Sequence, residues 1–383
     1  MQKLLVSTAI ALASGHGAVT APPPRNAVDA SDSKAQHNAT YPFRGQACPM
    51  PDGRTGNNFS TSGANGFACY WFSNGASIGC PTPDATTRGP IPTVPCDTPK
   101  AQRDDGMCRK KMDTCGHKYK ATICDPKLRT VNTAAECGAD DDWYYYSPWR
   151  APGSSGVFDS CGLAGGHTGD CPHDDPQKCF GGRYVTTTHA KQGDHGSQLA
   201  PRPTGTTWAA GAVVEVAWAV MANHGGGYQY RLCPASQPLT EECFFRTPLA
   251  FVGRQALRWD ARGGVGGTKE YIDGDYVSAG TLPVGSTWAK NPLPRQDVNT
   301  TYKSFPPKCD EVADCGVDMN PMRGASKCRC SGMWGPFNVE VVDMVKIPDD
   351  LPAGDYVLGW RWDCEESNQI WASCSDVTVT RAE

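Results

Sequence analysis

Hydrophobic residues recur at every second position in several short runs of this chain. Val214, Val216, Trp218 and Val220 share one parity, as do Tyr228, Tyr230 and Leu232, and again Tyr356, Leu358, Trp360 and Trp362. A period of two puts alternate side chains on the same face of an extended segment, so each run predicts a strand with one face to bury. Val339 to Ile347 and Val377 to Val379 predict two more short strands, and turn residues such as Pro352-Ala353-Gly354 separate them. Residues from Cys48 to Gln198 break the pattern: they are rich in Gly, Pro, Cys and Asp with little alternation, which predicts long cross-linked loops. A small disulfide-rich module within Cys96 to Cys137 is the competing reading of part of that stretch. With 42 glycines and 31 prolines, long helices have little room. Together these features predict an antiparallel β-sandwich.

Composition narrows the setting. Nineteen cysteines, with Asn38-Ala-Thr40, Asn58-Phe-Ser60 and Asn299-Thr-Thr301 as possible glycan acceptors, suit an oxidising compartment, so most cysteines are expected to be staples. The spacings of Cys108, Cys115, Cys124 and Cys137 do not form the paired C-x2-C pattern of a zinc site. The odd count leaves one thiol free or one bond to another chain. A formal net charge of −4 and the lack of a long basic run exclude nucleic acid as a partner. No run after residue 15 is apolar for long enough to span a bilayer, so no membrane partner is expected.

The start of the chain carries the sharpest chemical signal. Lys3 is a basic start, Leu4 to Ala13 an apolar run and Ala13-Ser14-Gly15 a small-x-small cleavage site, the pattern of a secretory signal peptide over residues 1–15. Cleavage after Gly15 is expected to make the protein extracellular and leave His16 as its first residue; the alternative is that His16 merely lies near a cleavage site a residue or two away. A histidine with a free α-amine can chelate one metal ion through that amine and its ring Nδ1, and an amine of pKa about 7.7–8.0 loses its proton to a metal at little cost. A second candidate ligand is His224 in Ala222-Asn-His-Gly-Gly-Gly227, on the turn predicted between two strands, where glycines permit close backbone approach. Taken alone, His224 is one of eight histidines and would read as a surface turn residue.

Several stretches together resemble the chitin-binding type-4 family, the copper-dependent lytic polysaccharide monooxygenases related to the bacterial and animal chitin- and cellulose-active groups. They are His16-Gly-Ala-Val-Thr-Ala-Pro-Pro-Pro-Arg25, Ala222-Asn-His-Gly-Gly-Gly-Tyr-Gln-Tyr-Arg-Leu-Cys233, Gly359-Trp-Arg-Trp-Asp-Cys-Glu-Glu366 and Gln369-Ile-Trp-Ala-Ser-Cys-Ser-Asp376. Cys69-Tyr-Trp-Phe72 and Ala190-Lys-Gln-Gly-Asp194 support the match, which runs from His16 to about Thr380; the insertion around 96–137 has no counterpart. The resemblance implies one domain over residues 16–383 with an immunoglobulin-like or fibronectin-III-like sandwich. It implies one copper ion held by His16, through amine and ring, and by His224. Three nitrogens in a plane suit Cu²⁺, which favours tetragonal nitrogen sites, and leave a position open for an oxygen species.

The same resemblance gives Gln369 the role of a hydrogen-bonding partner to the oxygen ligand and puts Trp371 where relatives carry an axial Phe or Tyr. An indole cannot ligate copper as a phenol does, so Trp371 would shield that face; the alternative is a core aromatic on the last strand. Glu365 and Glu366 are not carried over. The implied activity is oxidation at C1 or C4 of a β-1,4-linked polysaccharide, chitin or cellulose, with an external electron donor and O2 or H2O2, by a secreted monomer. Two other classes stay open: a non-catalytic polysaccharide-binding protein, and a copper-binding or transport protein with the same two-histidine site. Trp143-Tyr-Tyr-Tyr146 and Trp149 would either stack on sugar rings or be buried under the loops. His167, His173, His189 and His195 would either hold a structural cation or be solvated. No Ser/His/Asp set or glycosidase carboxylate pair can be nominated from spacing.

Overall fold

A computed structural model describes residues 16–26, 148–164, 190–191, 193–222, 225–259, 268–293, 339–364 and 370–382. These residues form twelve strands in two sheets. The first sheet has the order β1 (His16–Ala21), β3 (Val213–Ala222), β10 (Val339–Lys346), β6 (Gln255–Trp259) and β7 (Thr268–Ile272), with β5 (Ala250–Phe251) also pairing β10. The second runs β2 (Pro203–Ala209), β12 (Ile370–Thr380), β11 (Gly354–Asp363), β4 (Gly227–Pro234), β9 (Trp288–Lys290) and β8 (Tyr276–Val277). Every pairing is antiparallel except that of β2 with β12. The antiparallel β-sandwich expected from the alternating runs, which the resemblance implies is immunoglobulin-like or fibronectin-III-like, is the observed architecture.

The alternating residues make the core. Val216 and Trp218 of β3, Tyr228, Tyr230 and Leu232 of β4, Leu257 of β6, Val341 and Val345 of β10, and Leu358, Trp360 and Trp362 of β11 are buried in one cluster between the sheets. Aromatic rings dominate it: Trp218 lies 4.8 Å from Tyr228, 5.1 Å from Trp360 and 5.5 Å from Trp362, ring centre to ring centre. Such tilted pairs add to the large apolar area each ring removes from water.

One expectation needs correcting. The period-two runs predict strands with one buried face, yet β4 is buried along both faces up to Pro234, and β11 from Tyr356 onward. The reason is a second layer on the outer face of their sheet. A one-turn helix, α1 (Glu241–Phe245), capped by the Thr240 hydroxyl accepting from the Cys243 amide, covers β4 with Phe244. The irregular segment 148–164 covers β11, and the Cys161–Cys374 and Cys233–Cys243 disulfides fasten these covers to the sheet. The described parts of the Cys48–Gln198 stretch contain no strand, as the loop reading expected; the insertion around 96–137 and the signal segment lie outside the described residues.

Between sheet and cover lies a buried ion network. Arg231 makes a two-pronged pair with Glu241, at 2.9 and 2.8 Å. Arg361 donates to Glu241 at 2.6 Å, to Asp363 at 2.6 and 3.1 Å and to the Ser155 carbonyl at 2.9 Å. Burial alone would raise the Glu241 carboxyl, but the two guanidiniums facing it hold it down at about 2. Two cations against two carboxylates leave the layer neutral. Such a network contributes register more than net stability, because desolvation offsets most of the attraction.

Candidate functional site

The strand register brings the described neighbours of the candidate residues to one end of the sandwich. β1 begins at His16, which pairs with Ala222, the last residue of β3. β4 starts at Gly227, which pairs with Lys290 on one side and with Asp363, the end of β11, on the other. Asp363 in turn pairs with Ile370, the first residue of β12, and Trp362 pairs with Trp371. Thus the start of β1, the turn between β3 and β4, and the connection from β11 to β12 all lie at that end. The structure describes His16 by its backbone; His224 and Gln369 lie outside the described residues, between described neighbours Ala222 and Gly225 and between Cys364 and Ile370.

The turn after His224 crosses from the first sheet to the second, and its described half is tightly held. The buried Trp362 indole N–H donates to the Gly225 carbonyl at 2.7 Å, and the Asn291 amide donates to the Gly226 carbonyl at 2.9 Å. Gly226 has φ +77°, and a Cβ there would fall 2.0 Å from the Asp363 carbonyl oxygen. A Cβ on Gly227 would fall 2.4 Å from the Trp149 ring. Only a residue without a side chain lets three backbone segments approach this closely. The glycine run seen in the sequence therefore has a packing cause at its last two positions.

Trp371 is fully buried and belongs to the main core cluster, on the face of β12 that looks into the sandwich at the His16 end. That burial meets the requirement of both its readings, a core aromatic and a shield beneath a metal held at the strand ends. Trp149 is resolved in favour of burial: it is 0% exposed and packs edge-on against Trp288 at 6.4 Å, so it offers no face to a sugar. Trp143 to Tyr146 lie outside the described residues.

Two features escaped the sequence. Arg25 pairs with Asp376 through two bonds, at 2.9 and 2.6 Å, across 351 residues of chain, and donates to the Leu199 carbonyl at 3.2 Å. The Ser375 hydroxyl donates to the Pro22 carbonyl at 2.9 Å, so the chain leaving β1 is tied to the middle of β12, at the far end of β1 from His16. Both pairs sit within the stretches that carry the family resemblance, which was the available signal. The second feature is Trp362, legible only as one of a row of strand aromatics.

His195 is partly buried and tied to a carboxylate. Its Nδ1 lies 3.1 Å from Asp159, whose oxygens also accept from the Cys161 amide at 2.8 Å, the Ser197 amide at 3.1 Å and the Ser197 hydroxyl. The hydrogen bond to Asp159 raises the His195 pKa above its ordinary value, burial opposes this, and the charges of Asp159 and Asp194 add to it. His167, His173 and His189 lie outside the described residues.

As for a metal, no group of three or more His, Cys, Asp or Glu side chains is assembled among the described residues. The donors that the sequence nominates are the His16 amine and ring and the His224 ring. They are a nitrogen set that fits copper and falls short of a closed zinc site. The glycine cradle at Gly226 and Gly227, which a Cβ would fill, fits a turn that has to be placed accurately.

No family model matches the chain. Among solved structures it is similar to a lytic polysaccharide monooxygenase from Thermobia domestica in its Cu(I) state, at 13% identity and a TM-score of 0.23 over 51% of this chain and 76% of that one. A copper complex of a cellulose-active lytic polysaccharide monooxygenase is similar at 16% identity and a TM-score of 0.21, over 49% of this chain and 56% of that one. A chitin-binding domain from Burkholderia pseudomallei is similar at 13% identity and a TM-score of 0.23, over 55% of this chain and 73% of that one. At such scores these likenesses carry no functional weight, and the chain's own residues have to supply it.

Proposed function

We propose that residues 1–15 are removed and that the remaining single domain, starting at His16, is a secreted copper monooxygenase. Its substrate is a β-1,4-linked polysaccharide, chitin or cellulose, attacked at C1 or C4 with O2 or H2O2 and electrons from an external reductant. The observation that supports this best is the pairing of His16 with Ala222, two residues before His224 in a turn built on glycine. Bound copper would supply the redox chemistry, cycling between Cu(II) and Cu(I) and activating the oxidant toward a C–H bond.

The chain's own residues do the rest. His16 and His224 provide the nitrogen donors, Gln369 is the hydrogen-bonding group beside them, and Trp371 shields the inward side. The two-pronged pair between Arg25 and Asp376 ties the chain just after β1 to β12. The disulfides suit an extracellular protein.

The test is to load the mature protein with copper, add a reductant, and analyse by mass spectrometry what is released from insoluble chitin and cellulose. Oxidised oligosaccharides are expected. Copper binding and reductant-dependent peroxide production without released oligosaccharides would leave a copper carrier; polysaccharide binding without copper binding would leave a plain binder. His224→Ala should weaken Cu²⁺ binding by orders of magnitude with little change in melting temperature.

A further inference from the structure

The turn that follows His224 is governed by a strand it does not belong to. Trp362, on β11, sends its indole N–H to the Gly225 carbonyl at 2.7 Å, and both groups are buried. Its ring is fully buried and packs against Trp218 at 5.5 Å and Trp360 at 6.4 Å, ring centre to ring centre. Trp360, two residues earlier on the same face, has a buried Nε1 with no hydrogen bond, which shows that packing in this core does not by itself require an indole N–H to be paired. The neighbouring Gly226 carbonyl is held by the Asn291 amide, and Gly226 is pressed against the Asp363 carbonyl, one residue beyond Trp362.

We infer that Trp362 is a positioning residue for the candidate metal site, acting through the Gly225 carbonyl to fix Gly225 and Gly226, which directly follow His224 in the chain. Its effect on copper rests on the function proposed above; its effect on the turn does not. Residues 223–224 span the gap between the end of β3 and the pinned pair Gly225–Gly226. A fixed residue next to a ligand in the chain lowers the ordering cost of binding.

The experiment replaces Trp362 by Phe and, to keep the full ring size, by 3-benzothienylalanine, in which sulfur takes the place of the N–H. Trp360→Phe is the control, since it disturbs the same aromatic core without a bond to the turn. Amide hydrogen exchange of residues 225–227 is measured on metal-free protein, and Cu²⁺ affinity by calorimetry on the same samples. Both Trp362 variants should exchange faster at the turn and bind Cu²⁺ about tenfold more weakly, within the usual cost of losing such a supporting group. The control should match the parent in both readings even where its melting temperature falls. Unchanged turn exchange in the benzothienyl variant overturns the inference, and so does equal acceleration in the Trp360 control. Faster exchange in a parent background that binds no copper would uphold the positioning role and refute the proposed function.

Discussion

Asp343 is the place where pH should act most visibly on this fold. It lies on the inner side of β10, 1% exposed, with no cation beside it among the described residues; the Tyr228 hydroxyl donates to it at 2.8 Å and the Gln255 amide at 2.9 Å. Burial raises its pKa from 3.8 to about 6, and those hydrogen bonds draw it back only in part. The folded protein therefore keeps a proton that the unfolded chain has already lost between pH 3.8 and about 6. Stability falls as pH rises through that window, and above it the full penalty remains. A rise from 3.8 to about 6 corresponds to on the order of 3 kcal/mol. Asp343→Asn removes the titration and keeps the shape. Urea denaturation of parent and variant, disulfides intact, at about pH 3.5 and about pH 7 isolates the site, because other groups cancel in the difference. The parent should lose on the order of 3 kcal/mol relative to the variant between the two conditions. The Asn side chain also rearranges hydrogen bonds with Gln255 and Tyr228, which offsets both measurements alike, so the slope and not the absolute stability is diagnostic. Equal differences at the two pH values, or a parent that gains on the variant as pH rises, would refute the account of a buried, unpaired carboxyl.

Four further outcomes are expected. Intact-mass and N-terminal analysis of the secreted protein should find His16 first, and a tag left ahead of it should abolish tight Cu²⁺ binding by converting the amine to an amide; a mature start elsewhere removes the copper site. Gly226→Ala should cost more than about 1 kcal/mol and weaken Cu²⁺ binding, since φ of +77° and a carbonyl 2.0 Å from the new Cβ both oppose it; a neutral effect in thermal unfolding would mean the turn relaxes freely. His195 should titrate above 6.5 by NMR and, because its folded pKa is raised, its bond to Asp159 should lend stability at acid pH that disappears as pH rises through that pKa; titration at or below 6.5 would contradict the contact. Trp371→Tyr should change the Cu(II) paramagnetic resonance spectrum if Trp371 lies beneath the metal, whereas an unchanged spectrum with a lowered melting temperature would leave it a core residue alone.

How much of this was legible beforehand follows from the range of each interaction. The strands around Trp218, Tyr230, Trp360 and Val341 could be read because extended backbone repeats every two residues and the core face needs apolar side chains at that period. His16 and His224 stood out because a cleavage pattern and a glycine run are local signals. Other facts depend on partners far away in the chain. Arg231 and Arg361, polar residues between core aromatics, read as solvent-facing until α1 and segment 148–164 close over them, and Glu241 and Asp363 make that burial tolerable. The turn at Gly225 looks like a hairpin, but β3 and β4 belong to different sheets, since β3 pairs with β1 and β10 while β4 pairs with β11 and β9. Pairing partners are chosen by the whole core, which no run of neighbours encodes. Sequence alone therefore determined which strand residues face the core between the sheets, and it nominated the residues proposed to bind a metal. Tertiary structure decided that the His16 end of β1, the turn after β3 and the β11–β12 connection share one end of the sandwich, because only packed sheets can hold segments hundreds of residues apart in register.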